Sequence, residues 1–110
     1  MQILKWGVDG FDGVLVNKMH ELDGVKEIRI SMQAGSQMKE HSAPGKIMVQ
    51  VLSGEIDFSV GDEIFRLCVF DMISLEPNVS HSLHALKDSV IRLSLSKNDN
   101  VNRVFGVLNS

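Results

Sequence analysis

The stretch EIDFSVGDEIFRLCV, residues Glu55 to Val69, decides the fold class. Ile56, Phe58 and Val60 alternate with Glu55, Asp57 and Ser59, so one face of the segment is apolar and the other polar. That is the period-two signature of a half-buried strand. Gly61-Asp62 then forms a two-residue loop suited to a primed turn, because glycine takes a positive φ at little cost. Glu63 to Val69 returns as the second strand of a hairpin.

Working outward, the same pattern repeats. Val14 to His20 and Lys26 to Met32 read as strands joined around Asp23-Gly24. Ile47 to Leu52, Asp71 to Leu75, His81 to Leu86 and Ser89 to Leu95 follow, punctuated by Gly54, by Glu76-Pro77-Asn78 and by Lys87-Asp88. About eight short strands with hardly any helical spacing predict an all-β sandwich or barrel. The ends differ. Gly7, Gly10 and Gly13 loosen the N-terminal segment, and Lys97 to Asn102 is a polar linker before an apolar patch, Val104 to Leu108. That patch is expected to cover a sheet edge or to meet a second subunit.

The 110 residues suit one domain, 1–110, with a core barrel over about 14–96 and termini that flank it or contribute to a dimer. Apolar residues make up 44% and charged residues 23%, ordinary globular usage. The net charge of −3 contains no basic run, so neither nucleic acid nor an anionic membrane is an expected partner. No apolar run approaches the roughly 20 residues of a spanning helix. A single cysteine, Cys68, and the lack of a secretory-type N-terminal pattern lead to the expectation of a reducing, cytoplasmic setting.

Upstream of the hairpin stands KEHSAPGKIMVQVLSGE, residues Lys39 to Glu55. Gly35, five residues, His41, the turn Ser42-Ala43-Pro44-Gly45, a strand and Gly54 resemble the first motif of the cupin family. The second motif of that family runs glycine, five residues, proline, one residue, glycine, two residues, histidine. Here those positions fall on Phe70, Glu76, Asn78 and His81, with Pro77 one residue later than the pattern. Fifteen residues, Glu55 to Val69, separate the motifs, and the resemblance covers roughly Glu27 to Ser96. Asn78 tolerates the left-handed backbone that glycine would supply, whereas Phe70 is expected to send the turn before Asp71 along a different path.

The resemblance implies a double-stranded β-helix (jelly-roll) barrel with an internal pocket, often a homodimer. In many members a divalent metal is held by two histidines and a glutamate from the first motif and a histidine from the second. Carried over by position, His41 and His81 are matched, while Ala43 and Ile47 stand where a histidine and the glutamate would be. Two imidazoles fall short of the three or four protein ligands such sites keep, although imidazole suits zinc, nickel, iron and copper, and manganese is also used in such barrels.

Strand parity then assigns directions. If Ile47 points inward, so do Val49 and Val51, and Gln50 points out. If His81 points inward, Leu83 and Ala85 join it and His84 faces out unless a bulge shifts the phase. The expected ligand pocket is therefore mostly apolar: His41, Ala43, Ile47, Val49, His81 and Leu83, with Met32, Met48 or Met72 from neighbouring strands. The six methionines read more simply as core filling. His20, at a strand end without motif support, reads as a surface or interface histidine, and Cys68 as a buried thiol within its strand.

Three functions are consistent with these residues. The first is a barrel binding an unknown small molecule through His41 and His81. The second is a metal-dependent oxygenase or isomerase in which those histidines ligate an ion. The third is an oligomeric interaction module without catalysis. A Ser80-His81-Asp71 triad is disfavoured, since neighbouring strand residues point to opposite faces.

Overall fold

The computed structural model describes residues 1–96, and these form nine strands with no helix among them. The strands are β1 (Val14–Leu22), β2 (Val25–Met32), β3 (Gln37–His41), β4 (Ile47–Ser53), β5 (Ile56–Val60), β6 (Glu63–Leu67), β7 (Met72–Leu75), β8 (His81–Ala85) and β9 (Ser89–Leu95). They build a five-stranded sheet ordered β1-β2-β9-β4-β7 and a four-stranded sheet ordered β3-β8-β5-β6. Every pairing is antiparallel. The patch Val104 to Leu108 lies outside the described residues.

Both expected hairpins form. Leu22 pairs with Val25 around Asp23 (φ 52°) and Gly24 (φ 79°), the double positive φ of a type I′ turn. Val60 pairs with Glu63 around Gly61 (φ 58°), where the positive φ is confined to the first central position, as in a type II′ turn.

Alternation places one continuous core between the sheets. Ile28, Ile30 and Met32 of β2, Ile47, Val49 and Val51 of β4, and Ile91, Leu93 and Leu95 of β9 face Met38, Ile56, Phe58, Leu83 and Ala85 of the smaller sheet. Each of these side chains larger than alanine contributes about 1.5–3 kcal/mol by leaving water. The outer face of the five-stranded sheet carries two polar rows that cross it in register. One runs Asn17, Arg29, Arg92, Gln50, Met72, and the next His20, Glu27, Ser94, Met48, Ser74. Met48 and Met72 are thus 40% and 46% exposed. Their expected place in the pocket is corrected: register with inward-facing neighbours at every second position turns them outward. Met32 is fully buried.

Two further features differ from expectation, and a third, at Phe70, adds detail. β3 had no strand signal, because its sequence QMKEH is interrupted by a register shift between Met38 and His41 that breaks the alternation. Cys68 is exposed and lies just past β6, in the turn, since that strand ends at Leu67. Phe70 adopts φ 75°, a left-handed conformation that glycine takes at little cost and a bulky side chain rarely adopts. Hydrogen bonds hold it there. The Phe70 amide donates to the Val51 carbonyl (2.7 Å), the Asp71 amide to the Cys68 carbonyl (2.9 Å), and the Cys68 amide to Asp71 Oδ2 (2.8 Å).

Asn78 takes φ 67°, as expected, and donates its amide to the Ala43 carbonyl (2.7 Å), tying the two motif turns together. Gly54 (φ 86°) is required twice over, by its φ and by space, because a Cβ there would run into Ser89 Oγ and the Asp88 carbonyl.

Candidate functional site at the paired histidines

The register shift that hid β3 is what builds the site. Met38 pairs with Leu83, yet His41 pairs with His81, so β3 spends three steps where β8 spends two. The extra residue reverses the parity of the strand end. Met38 is buried in the core, Glu40 points out to accept the Ser80 hydroxyl (2.8 Å), and His41 turns to its partner. His81 needs no such device, being the first residue of β8, on the same face as Leu83 and Ala85.

The two imidazoles lie with centroids 4.3 Å apart and planes tilted by 59°. His81 is 3% exposed and stacks on Phe58 at 5.3 Å and 10°, whereas His41 is half-buried. The pair therefore runs from the edge of solvent into the barrel. Each ring is fixed by the carbonyl two residues before it: His41 Nδ1 lies 2.6 Å from Lys39 O, and His81 Nδ1 3.0 Å from Val79 O. A carbonyl only accepts, so both Nδ1 atoms carry the proton, and in the neutral ring Nε2 holds the lone pair. The same arrangement orients histidines toward metals and hydrogen-bond donors.

The remaining candidate residues are absorbed into packing. Ala43, Ile47, Val49 and Leu83 all belong to the buried hydrophobic cluster, with Ile47 paired between Leu75 and Leu95. Among the described residues, no group of three or more His, Cys, Asp or Glu is gathered where it could hold a metal ion. The four motif positions thus do not fit a four-ligand metal centre. Ala43 and Ile47 offer methyl groups where donors would be needed.

His84 faces outward, in a cleft of about 430 Å³ on the four-stranded sheet that also includes Asp57 and Ser59. Asp57 there receives Arg66 Nε at 2.7 Å. His20 lines a different groove, on the five-stranded sheet. Neither reaches the histidine pair's side of the barrel wall. Cys68 Sγ donates to Glu55 Oε1 (3.4 Å), and this bond to a carboxylate, with burial and the Glu55 charge added, raises its pKa. The thiol stays protonated and is a poor nucleophile despite its exposure.

No helix of the described residues is long and apolar enough to cross a membrane. Residues 28–96, more than half of the chain, match the family model described as a cupin domain. No curated protein sequence gives a significant match. Among solved structures, the chain is similar to an RmlC-like cupin protein from Desulfovibrio desulfuricans, with TM-score 0.77, 20% identity, and coverage of 88% of this chain and 96% of that one. A cupin superfamily protein from Desulfitobacterium hafniense gives TM-score 0.74 at 17% identity, covering 81% and 82%. An RmlC-like cupin family protein with a double-stranded β-helix fold, from Methanocaldococcus jannaschii, gives 0.74 at 13% identity and covers 96% of each chain. At these identities the likeness is one of fold.

Proposed function

This chain belongs to the cupin family, and from that premise we propose that it is a small-molecule-binding barrel whose ligand seats at the His41–His81 pair. The observation that carries the reading is the shared orientation: two adjacent imidazoles with centroids 4.3 Å apart, each with Nδ1 set against the backbone carbonyl two residues before it. A fitting ligand carries polar groups that meet the imidazole edge at half-buried His41, while Ala43 and Ile47, packed in the core, form the apolar wall behind the pair. A homodimer in the cytoplasm is part of the proposal, resting on the family's habit and the single cysteine.

The test is a set of small polyols, amines and phenols followed by the imidazole resonances of the four histidines. Binding at the pair shifts His41 and His81 together, leaves His20 and His84 in place, and disappears in the His41→Ala, His81→Ala double variant. Equal movement of all four histidines, or none, would sink the proposal. Elemental analysis of protein purified without added metal or chelator separates the rival reading, a metal-dependent oxygenase or isomerase. Stoichiometric zinc, nickel, iron, manganese or copper that vanishes in the double variant would favour that reading instead.

A further inference from the structure

The outer face of the five-stranded sheet holds a second constellation, built by the N-terminal segment. Leu4, Trp6 and Val8 are half-buried while Ile3, Lys5 and Gly7 are exposed, the alternation of an extended strap lying on a sheet. Arg29 fastens it: one terminal nitrogen of its guanidinium donates to the Gly7 carbonyl (3.1 Å) and lies 3.5 Å from that of Trp6, and the other donates to Asn17 Oδ1 (3.2 Å). Between strap and sheet runs a groove of about 460 Å³, lined by Leu4, Trp6, His20, Glu27, Leu52 and Arg92.

Charge in this region is unbalanced. Arg29 and Arg92 stand directly opposite each other across β2 and β9, where like charges repel. Glu27 sits one row away and is taken by Arg92 Nε (2.6 Å) and by the Ser94 hydroxyl (2.7 and 2.9 Å). The oxygens that receive Arg29 are neutral. Arg92 thus meets a carboxylate while Arg29 meets only neutral oxygens, beside an apolar wall that includes the only tryptophan of the chain.

We propose that this groove is a second binding site, separate from the histidine pair, for small amphipathic anions: an aromatic or aliphatic body against Leu4, Trp6 and Leu52, and an acidic head group at Arg92. A guanidinium suits such a head group, whose oxygens it can meet with paired donors. The groove has the size of a small-molecule site.

Trp6 reports on the site, since the chain has one tryptophan and no tyrosine. Octanoate and benzoate represent the aliphatic and aromatic sources of the chemistry, with 1-octanol and benzyl alcohol as neutral counterparts. At least one anion is expected to change Trp6 emission saturably, at about tenfold lower concentration than its neutral counterpart. Arg92→Gln removes that difference, and the His41→Ala, His81→Ala variant retains it, so this site and the barrel site fail separately. Glu27→Gln, which releases the guanidinium, is expected to tighten anion binding and serves where Arg92→Gln does not fold. The proposal is overturned by equal responses to acid and alcohol, or by an Arg92→Gln variant that folds and keeps the preference. It also falls if Glu27→Gln leaves affinity unchanged, or if Trp6 emission follows only protein concentration and a doubling of mass, which would assign the groove to a second copy of the chain.

Discussion

The two motif regions have changed in opposite ways. Around β3 and β4 the glycine at position 54 and His41 are kept and the other two ligand positions are lost, with Ala43 and Ile47 now part of the core. Around β7 and β8 the histidine is kept and both glycines are lost, yet Phe70 and Asn78 adopt a left-handed backbone of the kind glycine favours. The difference separates two kinds of constraint. Backbone path is enforced by many neighbours at once: the Phe70 turn is closed by hydrogen bonds within it and to Val51 and Gln50, the Asn78 turn by the Ala43 carbonyl. A metal ligand is enforced only by the metal, so its side chain can be exchanged for a methyl group that packs well.

That contrast can be broken or sharpened by substitution. The largest effect is expected at Gly54→Ala, where positive φ and a collision with Asp88 and Ser89 act together. A loss of about 3 kcal/mol or more in a denaturant melt would confirm that the first motif's glycine is sterically required. Phe70→Gly should act the other way. Phe70 is 74% exposed and has little burial to lose, so relief of its left-handed strain, set against the greater freedom of glycine in the unfolded chain, leaves a gain of about 0.5–1 kcal/mol. A lower melting temperature for this variant would mean that the ring holds the turn by packing.

The smallest effect concerns Glu27, outside both motifs. Its burial pushes the pKa up, but the hydrogen bonds from Arg92 and Ser94 and the Arg92 charge outweigh it, and the net shift is downward. A depressed pKa contributes stability above the unfolded value and loses it as pH falls through the folded one. Glu27→Gln should therefore flatten the acid limb of the stability curve by less than about 1 kcal/mol, given its partial exposure. An unchanged acid limb would remove Glu27 from the acid response.

Much of the fold was legible because hairpin turns announce themselves. Asp23-Gly24 and Gly61-Asp62 between alternating segments locate four strands without reference to anything distant. β3 was not legible, since Glu40 and His41 look like loop residues until the bulge gives each its own face. The histidine pair was legible through motif spacing, while the mechanism that brings it together was hidden in that same bulge. Cys68 and the two exposed methionines were misplaced for a related reason: hydrophobicity indicates a preference for burial, but register and strand ends decide the face. The strap carrying Trp6 had no readable destination, because its partner Arg29 lies on a strand more than twenty residues away.

The position of β9 has a kinetic consequence. It is the last described strand of the chain, yet it lies between β2 and β4 at the centre of the larger sheet, contributing Ile91, Leu93 and Leu95 to the core. During synthesis the β1–β2 and β5–β6 hairpins can form as they leave the ribosome, but β2 and β4 have no partner between them until β9 has emerged. Their inward faces, Ile28 to Met32 and Ile47 to Val51, stay open to other chains for that interval. Closure then depends on contacts of high sequence separation, the slow class of folding step.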